Sequence, residues 1–528
     1  MTSSHPGCTR KSTRLPPIRS RPAVALLVTL AWLAGCDLAP FYEPPHYVLP
    51  DNWRGQRPFT VARPSDELPR GPWWKLFGDP VLNQLEQQLE AENPTLAAMY
   101  EQYVQARDAT AIARSGLYPQ LSVNGLASAE KESNNRPFRN PQSPVSTTAP
   151  NNLIQAGATW EPDFWQRIRN AERMQARLAQ SSAALVANAR LSLQAQLASS
   201  YFALRGLDVQ IDVYRRAVAN FQKSVQITQL RLQGDIAPGL DVARAQAQLA
   251  STQALGSATL ASRTLAEHAI AVLVGANPST FSIPPTGRSG LVNPAVPVGV
   301  PSRLLQRRPD IASAERQMAA ANANIGIARA AFYPDITLSA TGGFQDTGFN
   351  LASLPNSLWS IGASAVLPLF EGGLRRATEQ QSWAQFAQTR DNYRATVLAA
   401  FQQVEDGLTL YASLQSQNRS QLQAVIAAQR AMNLTMQLYV GGIGLYLDVV
   451  VAQQTALLAE IAAAQARTTQ LQASANLILA LGGGWSTADL PTERGVLPFD
   501  PLDHVQTDRP PRPDGTAQRV KATTKPSN

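Results

Sequence analysis

The stretch AAFYPDITLSATGGF, residues 330–344, changes its period in the middle. A helical segment over residues 312–332 ends at Tyr333-Pro334, because proline has no amide for the next helical bond and biases its neighbour toward extended backbone. Beyond it Ile336, Leu338, Ala340 and Phe344 alternate with Thr337, Ser339 and Thr341, the pattern of a strand with one apolar face. Working outward, Trp359, Ile361, Ala363, Ala365 and Leu367 repeat the alternation against Ser360, Gly362 and Ser364, which predicts a second strand. Residues 373–441 then run without proline, and a short turn leads into a return helix.

The whole plan occurs twice, and several matched positions in fixed order make chance a poor explanation. SGLYP at residues 115–119 matches the helix-ending Tyr-Pro, and Pro162, Phe164, Arg169 and Ala171 match Pro368, Phe370, Arg375 and Ala377. Gly234, Ile236, Leu240, Asp241, Val242, Ala245 and Gln246 match Gly441, Ile443, Leu447, Asp448, Val449, Ala452 and Gln453, and Gly275 matches Gly482. In the first copy a helix over residues 83–117 precedes weaker strands carrying Leu121 and Val123, then Ile154, Ala156, Ala158 and Trp160. Residues 130–150, rich in Asn, Pro, Ser and Arg, read as an exposed loop. The proline-free stretches 165–234 and 373–441 are built from Ala, Gln, Leu and Arg, and helices of that length extend roughly 100 Å each. Leu191, Leu197, Leu204 and Val209 recur at mixed spacings, which predicts layered coiled-coil-like packing without a strict heptad.

In the 528 residues 16% are charged and 44% hydrophobic, and the formal net charge is +8. Most of that excess sits at the ends, in Arg10, Lys11, Arg14, Arg19 and Arg21 and in the tail after residue 500. The body is close to neutral and lacks the basic stripe that nucleic acid requires. With only Cys8 and Cys36, neither a disulfide framework nor a thiolate zinc site can be assembled. His5, His46, His268 and His504 are far apart in sequence, so no metal site and no cofactor are expected.

The basic stretch ending at Arg21 and the apolar run 23–33 form a secretory signal, too short to span a bilayer. Leu33, Ala34, Gly35 and Cys36 fit the lipoprotein cleavage pattern, with Cys36 as the lipidated residue. Asp37 follows it directly and resembles an inner-membrane retention signal of some bacteria. No later segment offers about 18 consecutive apolar residues, so a membrane crossing would use the strands. Four strands with two open edges cannot sit in lipid alone, because each unpaired backbone group costs several kcal/mol there. A cyclic assembly of roughly two to four copies would close them into one barrel, with polar side chains inward and apolar ones toward lipid.

The segment VPSRLLQRRPDIASAERQMAAANANIGIARAAFYPDITLSATGGF, residues 300–344, resembles the signature of the TolC-like outer-membrane efflux proteins, specifically the lipidated NodT and OprM type. The lipobox, the duplication and LPLFEGGLRR at residues 367–376 agree with it. The resemblance implies an α+β membrane protein: a homotrimer whose twelve-stranded outer-membrane barrel, four strands per protomer, continues into a periplasmic α-helical barrel. It further implies a passive exit duct of a tripartite pump in a Gram-negative outer membrane, contacting outer-membrane lipid. Its partners would be a periplasmic adaptor (membrane fusion protein) and an inner-membrane transporter of the resistance-nodulation-division (RND) class. On this reading residues 1–35 are the signal, 36–82 the lipidated segment, 83–275 and 309–484 the two repeats, 276–308 an equatorial connector and 485–528 a tail. Strands are expected near 119–128, 153–161, 335–344 and 358–367.

The hairpin tips GDIAPGLD, residues 234–241, and GGIGLYLD, residues 441–448, are where opening would be decided. In a cyclic assembly Asp241 and Asp448 would form carboxylate rings that favour cations; alternatively each caps its return helix. By resemblance Asp448 matches an acidic constriction and Asp241 with Tyr439 a pair that holds the entrance shut. Val451 and Gly444 depart from that pattern, standing where a second acid and a gate arginine fall. Three other functions compete. Catalysis lacks parts, since no nucleophile, Walker, zinc or dinucleotide motif occurs, and Glu161 with Asp163 lies at a strand-to-helix junction where a cap suffices. The others are the exit duct of a type I protein secretion system and a structural trimeric surface lipoprotein.

Overall fold

The computed structural model describes residues 37–45, 53–54, 72–131, 133, 135, 148–286, 291–294, 296, 304–351 and 353–497. The signal segment, Cys36, Cys8 and the tail beyond residue 497 lie outside the described residues, as does part of the connector. Two compact units result: one from residues up to 40, 116–171 and 323–380, the other from 41–115, 172–322 and 381 onward.

The first unit holds four antiparallel strands, β1 (Gln120–Lys131), β2 (Thr148–Trp160), β3 (Asp335–Asp346) and β4 (Ser357–Val366), in sequence order. Register aligns the expected alternation across all four. Leu121 faces Ala158, Ala158 faces Ala340 and Ala340 faces Ile361, while Val123, Ala156, Gly342 and Trp359 form the next row on the same face. Ser122, Gly157, Thr341 and Ser360 line the opposite face. The apolar row is bare: Leu121 is 82% exposed and Trp359 and Ile361 are each 77% exposed. Among the described residues, the outer edges of β1 and β4 have no partner strand. One expectation fails, because the supposed loop of residues 130–150 is partly strand, with Glu130 and Lys131 paired to Ala149 and Thr148. Pro150 is tolerated there because β3 pairs with β2 only from Asn152 onward, leaving a side of the strand where no amide is needed.

The helices are α1 (Pro80–Glu92), α2 (Pro94–Ser115), α3 (Arg167–Gln233), α4 (Gly239–Leu273), α5 (Leu304–Arg307), α6 (Pro309–Ala330), α7 (Leu374–Val440) and α8 (Tyr446–Ala480). The duplication is visible in lengths: α3 and α7 have 67 residues each, α4 and α8 have 35 each. The single helix expected over 83–117 is two, because Pro94 cannot continue α1. Asn93 covers the break, accepting from Leu96 N at 2.8 Å and donating Nδ2 to Leu273 O at 2.7 Å. In the other copy Arg308 Nη1 does the same for Ala480 O at 3.0 Å. Without any run of 18 consecutive apolar residues, α8 still carries a window of mean hydropathy 1.4, long and apolar enough by composition to cross a membrane. It is nonetheless the return arm of a hairpin, holding buried Gln453 and Gln470 that bond Ser224 and Asn418.

The main core of the second unit surrounds Trp73, Phe77, Leu82, Leu89, Tyr201, Phe202 and Ile270, all fully buried, with Phe77 and Phe202 rings 4.7 Å apart. Each such side chain contributes about 1.5–3 kcal/mol by leaving water. Two polar clips fasten the connector to it. Asp208 accepts from Arg205 Nη1 at 2.9 Å and from Arg263 Nε at 2.8 Å, and takes the Thr286 amide at 3.2 Å. Arg205 and Arg263 donate to Pro284 O and Ile283 O, and Glu267 accepts the Ile283 amide. In the second copy the positions matching Arg263 and Glu267 are Gln470 and Ser474. Ser474 bonds Asn293 at 2.8 Å, and nearby Arg467 and Tyr411 donate to Leu291 O and Pro294 O.

Backbone shape is duplicated even where sequence is not. Among the described residues, the non-glycine positions with positive φ are Gln166 (53°) and Asp235 (57°), and the repeat places Gly372 (59°) and Gly442 (82°) at the matching positions. Asp235→Gly is therefore expected to stabilise the first tip, by up to about 1 kcal/mol. A rise in thermal midpoint of the detergent-solubilised protein checks it, and a fall would show that the Asp235 side chain matters more than its strained backbone.

Candidate functional site: the paired hairpin tips

Both hairpin turns close with the same bonds. Ile236 N reaches Arg231 O at 2.9 Å and Gly234 N reaches Leu230 O at 3.1 Å; Ile443 N reaches Leu438 O at 3.1 Å and Gly441 N reaches Gln437 O at 2.9 Å. These wrap the ends of α3 and α7 as left-handed turns do, satisfying the last carbonyls. The return helices start after Pro238 and Leu445, neither of which makes a side-chain cap bond. Asp241 and Asp448 occupy the third helical position, so the capping alternative is not what they do. Their charge still favours the amino end of each dipole.

Their surroundings then diverge. Asp448 is exposed, whereas Asp241 is only 8% exposed. Tyr439 OH donates to Asp241 Oδ2 at 3.4 Å, so the expected pair is brought together within one chain. Three residues not foreseen complete the cluster. Arg231 Nη1 donates to Tyr439 O at 2.8 Å while its guanidinium lies 4.6 Å from the Tyr439 ring centre. Tyr446 packs its ring 5.1 Å from that of Tyr439. Ser224 ties the cluster to α8, accepting from Gln453 Nε2 at 2.9 Å. Burial pushes the Tyr446 phenol up to about 12, and burial, then Asp241, raises that of Tyr439. Both are therefore protonated donors at neutral pH. For Arg231 and Tyr446 the signal was asymmetry, since they stand where the other repeat has Leu438 and Gly239, as Tyr439 stands where it has Leu232.

The other sequence candidates resolve simply. Glu161 pairs with Arg167, and Asp163 accepts the Ile168 and Arg169 amides at 3.0 and 2.9 Å, covering the start of α3. His268 is exposed on α4. Among the described residues no group of three or more His, Cys, Asp or Glu side chains could hold a metal.

Duplicated long hairpins joined to a four-stranded antiparallel sheet with bare edges define a TolC-like outer-membrane channel subunit. The chain belongs to the outer membrane efflux protein family, whose model matches residues 85–276 and 300–483. It is 30% identical over 471 residues to the pyoverdine export outer membrane protein OpmQ of Pseudomonas aeruginosa, covering 88% of this chain and 97% of that one. Nodulation protein T of Rhizobium leguminosarum bv. viciae is 29% identical, with 90% and 95% covered. Among solved structures, the outer-membrane channel OprN superposes with a TM-score of 0.78 at 28% identity over 85% of this chain and all of that one. The open state of the Neisseria gonorrhoeae MtrE channel gives 0.76 at 26%, covering 85% and 98%. This chain is accordingly an outer-membrane channel component of an efflux pump.

Proposed function

We propose that the chain acts as a homotrimer, twelve strands closing one barrel, and serves as a passive duct with no catalysis of its own. A periplasmic adaptor and an inner-membrane transporter of the RND class supply the energy, and Cys36 carries the lipid anchor. The observation behind this is the sheet: an apolar face exposed along four strands, with two edges that only further copies can pair. Relatives named for export of pyoverdine and for efflux of antibiotics or toluene favour small molecules as cargo. The test is planar-bilayer conductance of the purified protein together with its mass in detergent. A non-conducting or monomeric product would sink the proposal, and unaltered drug sensitivity on deletion would remove the efflux role.

In this duct the tip cluster is the closed latch of the periplasmic entrance. Tyr439→Phe removes the hydroxyl that reaches Asp241 and is expected to raise resting conductance severalfold; Arg231→Ala, which frees the tyrosine ring and its carbonyl, should raise it further. Equal conductance in all three proteins would place the latch elsewhere. Asp448, exposed on its helix, is the acidic constriction. Asp448→Asn is expected to weaken cation preference, read as a shift in reversal potential under a salt gradient. Unchanged selectivity would take Asp448 out of the lumen.

A further inference from the structure

The residues directly after Cys36 are held by side chains of the first unit. Asp37 Oδ1 accepts from Asn170 Nδ2 at 3.1 Å and from Ala39 N at 3.1 Å, and Leu38 O accepts from Arg329 Nη1 at 3.3 Å. Asn170 is fully buried, and Arg329 is oriented by Glu379, 3.1 Å from its Nε. Gly326 makes room: a Cβ there would stand 2.6 Å from Asn170 Nδ2 and 2.9 Å from both Ala39 N and Ala39 Cβ.

The repeat supplies its own control. GIAR at 326–329 corresponds to AIAR at 111–114, so Gly326 matches Ala111 while Arg329 matches Arg114. Asn170 likewise matches Arg376. The arginine has a carboxylate partner in both copies, Glu379 for Arg329 and Glu172 for Arg114, although the two acids do not stand at matching positions. The two features that admit residues 37–40, a missing Cβ and a buried amide donor, are absent from the matching positions of the other copy, Ala111 and Arg376. A helix glycine costs about 1 kcal/mol relative to alanine, and the copy without a strap to seat has alanine.

We infer that this notch is the seat of the lipidated amino terminus, which turns the Asp37 carboxylate onto Asn170 and so lets the chain leave the inner membrane although an acid follows its anchor cysteine. The inference rests on the reading of Cys36 as the lipidated residue. Asp37 remains in contact with water, but its Oδ1 is fixed on the protein side by two donors. Leu38 and Ala39 are fixed with it, so the acid is presented in one orientation instead of swinging freely beside the bilayer. The seat joins Asn170 on α3 to Gly326 and Arg329 on α6, more than a hundred residues away in sequence, so it exists only after the two repeats have come together.

The test uses the full chain with its own signal, labelled with palmitate and followed by density separation of the two membranes. Wild type is expected labelled and in the outer membrane. Gly326→Ala, which installs the residue the other repeat already tolerates, and Asn170→Ala should remain labelled but shift severalfold toward the inner membrane. Adding Asp37→Ser to either should return it to the outer membrane. Labelled variants that stay in the outer membrane overturn the seat, as do variants that Asp37→Ser cannot rescue, which would have a folding fault. An unlabelled wild type defeats the anchor reading itself, a different and recognisable failure.

Discussion

Asp208→Ala is expected to cost about 3–5 kcal/mol and to release the connector, the effect of removing one partner from a buried ion cluster. The Asp208 side chain is 1% exposed, and its two cationic partners, Arg205 and Arg263, are 6% and 9% exposed. Alanine leaves both guanidinium groups in a poorly solvated place, each with one of its three acceptors gone, and it frees the Thr286 amide. Tyr201 does not compensate, because it accepts from Arg205 Nε while donating its own proton to Asp79 Oδ2 at 2.8 Å. The measurement is a thermal midpoint together with proteolysis at residues 281–286, whose cleavage should accelerate first. A midpoint within about 0.5 kcal/mol of wild type, the range of ordinary surface changes, would show the clip to be ornamental.

Gly482→Ala is the second large effect. Gly482 has φ of +89°, and a Cβ added to it would lie 2.1 Å from Arg307 O and 2.8 Å from the Arg307 carbonyl carbon, which are backbone atoms that no rotamer change can move. The left-handed backbone alone costs an L residue about 1–2 kcal/mol, and the collision should bring the total to about 3 kcal/mol or more. Gly442→Ala separates the two contributions, since Gly442 has φ of +82° but nothing within 4 Å of its added Cβ. Gly442→Ala should lose only the backbone part. If both substitutions cost the same, close approach to Arg307 plays no role in holding α8 against the end of α5.

The architecture was legible because it is written twice. Tyr-Pro pairs, alternating strands and proline-free helices each had a second copy to check against, and strand register confirmed which side chains share a face. What escaped was whatever the copies do not share or whatever depends on distant segments. Pro94 breaks a helix that periodicity alone carried through, and the pairing of Lys131 with Thr148 overrode a loop-like composition. Nothing local in the sequence marks Arg205, Asp208 and Arg263, whose partners in the connector lie up to 79 residues away. At the tips the matched pair, Asp241 and Asp448, drew attention, yet only Asp241 is enclosed. Tyr439 was named with Asp241, but the other enclosing groups, Arg231 and Tyr446, are positions at which one repeat has drifted from the other.

The bare margins of β1 and β4 bear on the time before assembly. On the proposed trimeric reading, a newly exported subunit is a sticky intermediate, with a greasy face and two hydrogen-bonding borders that would join any stray strand as readily as a sister chain. On that reading, production faster than assembly is expected to yield aggregates in place of channels.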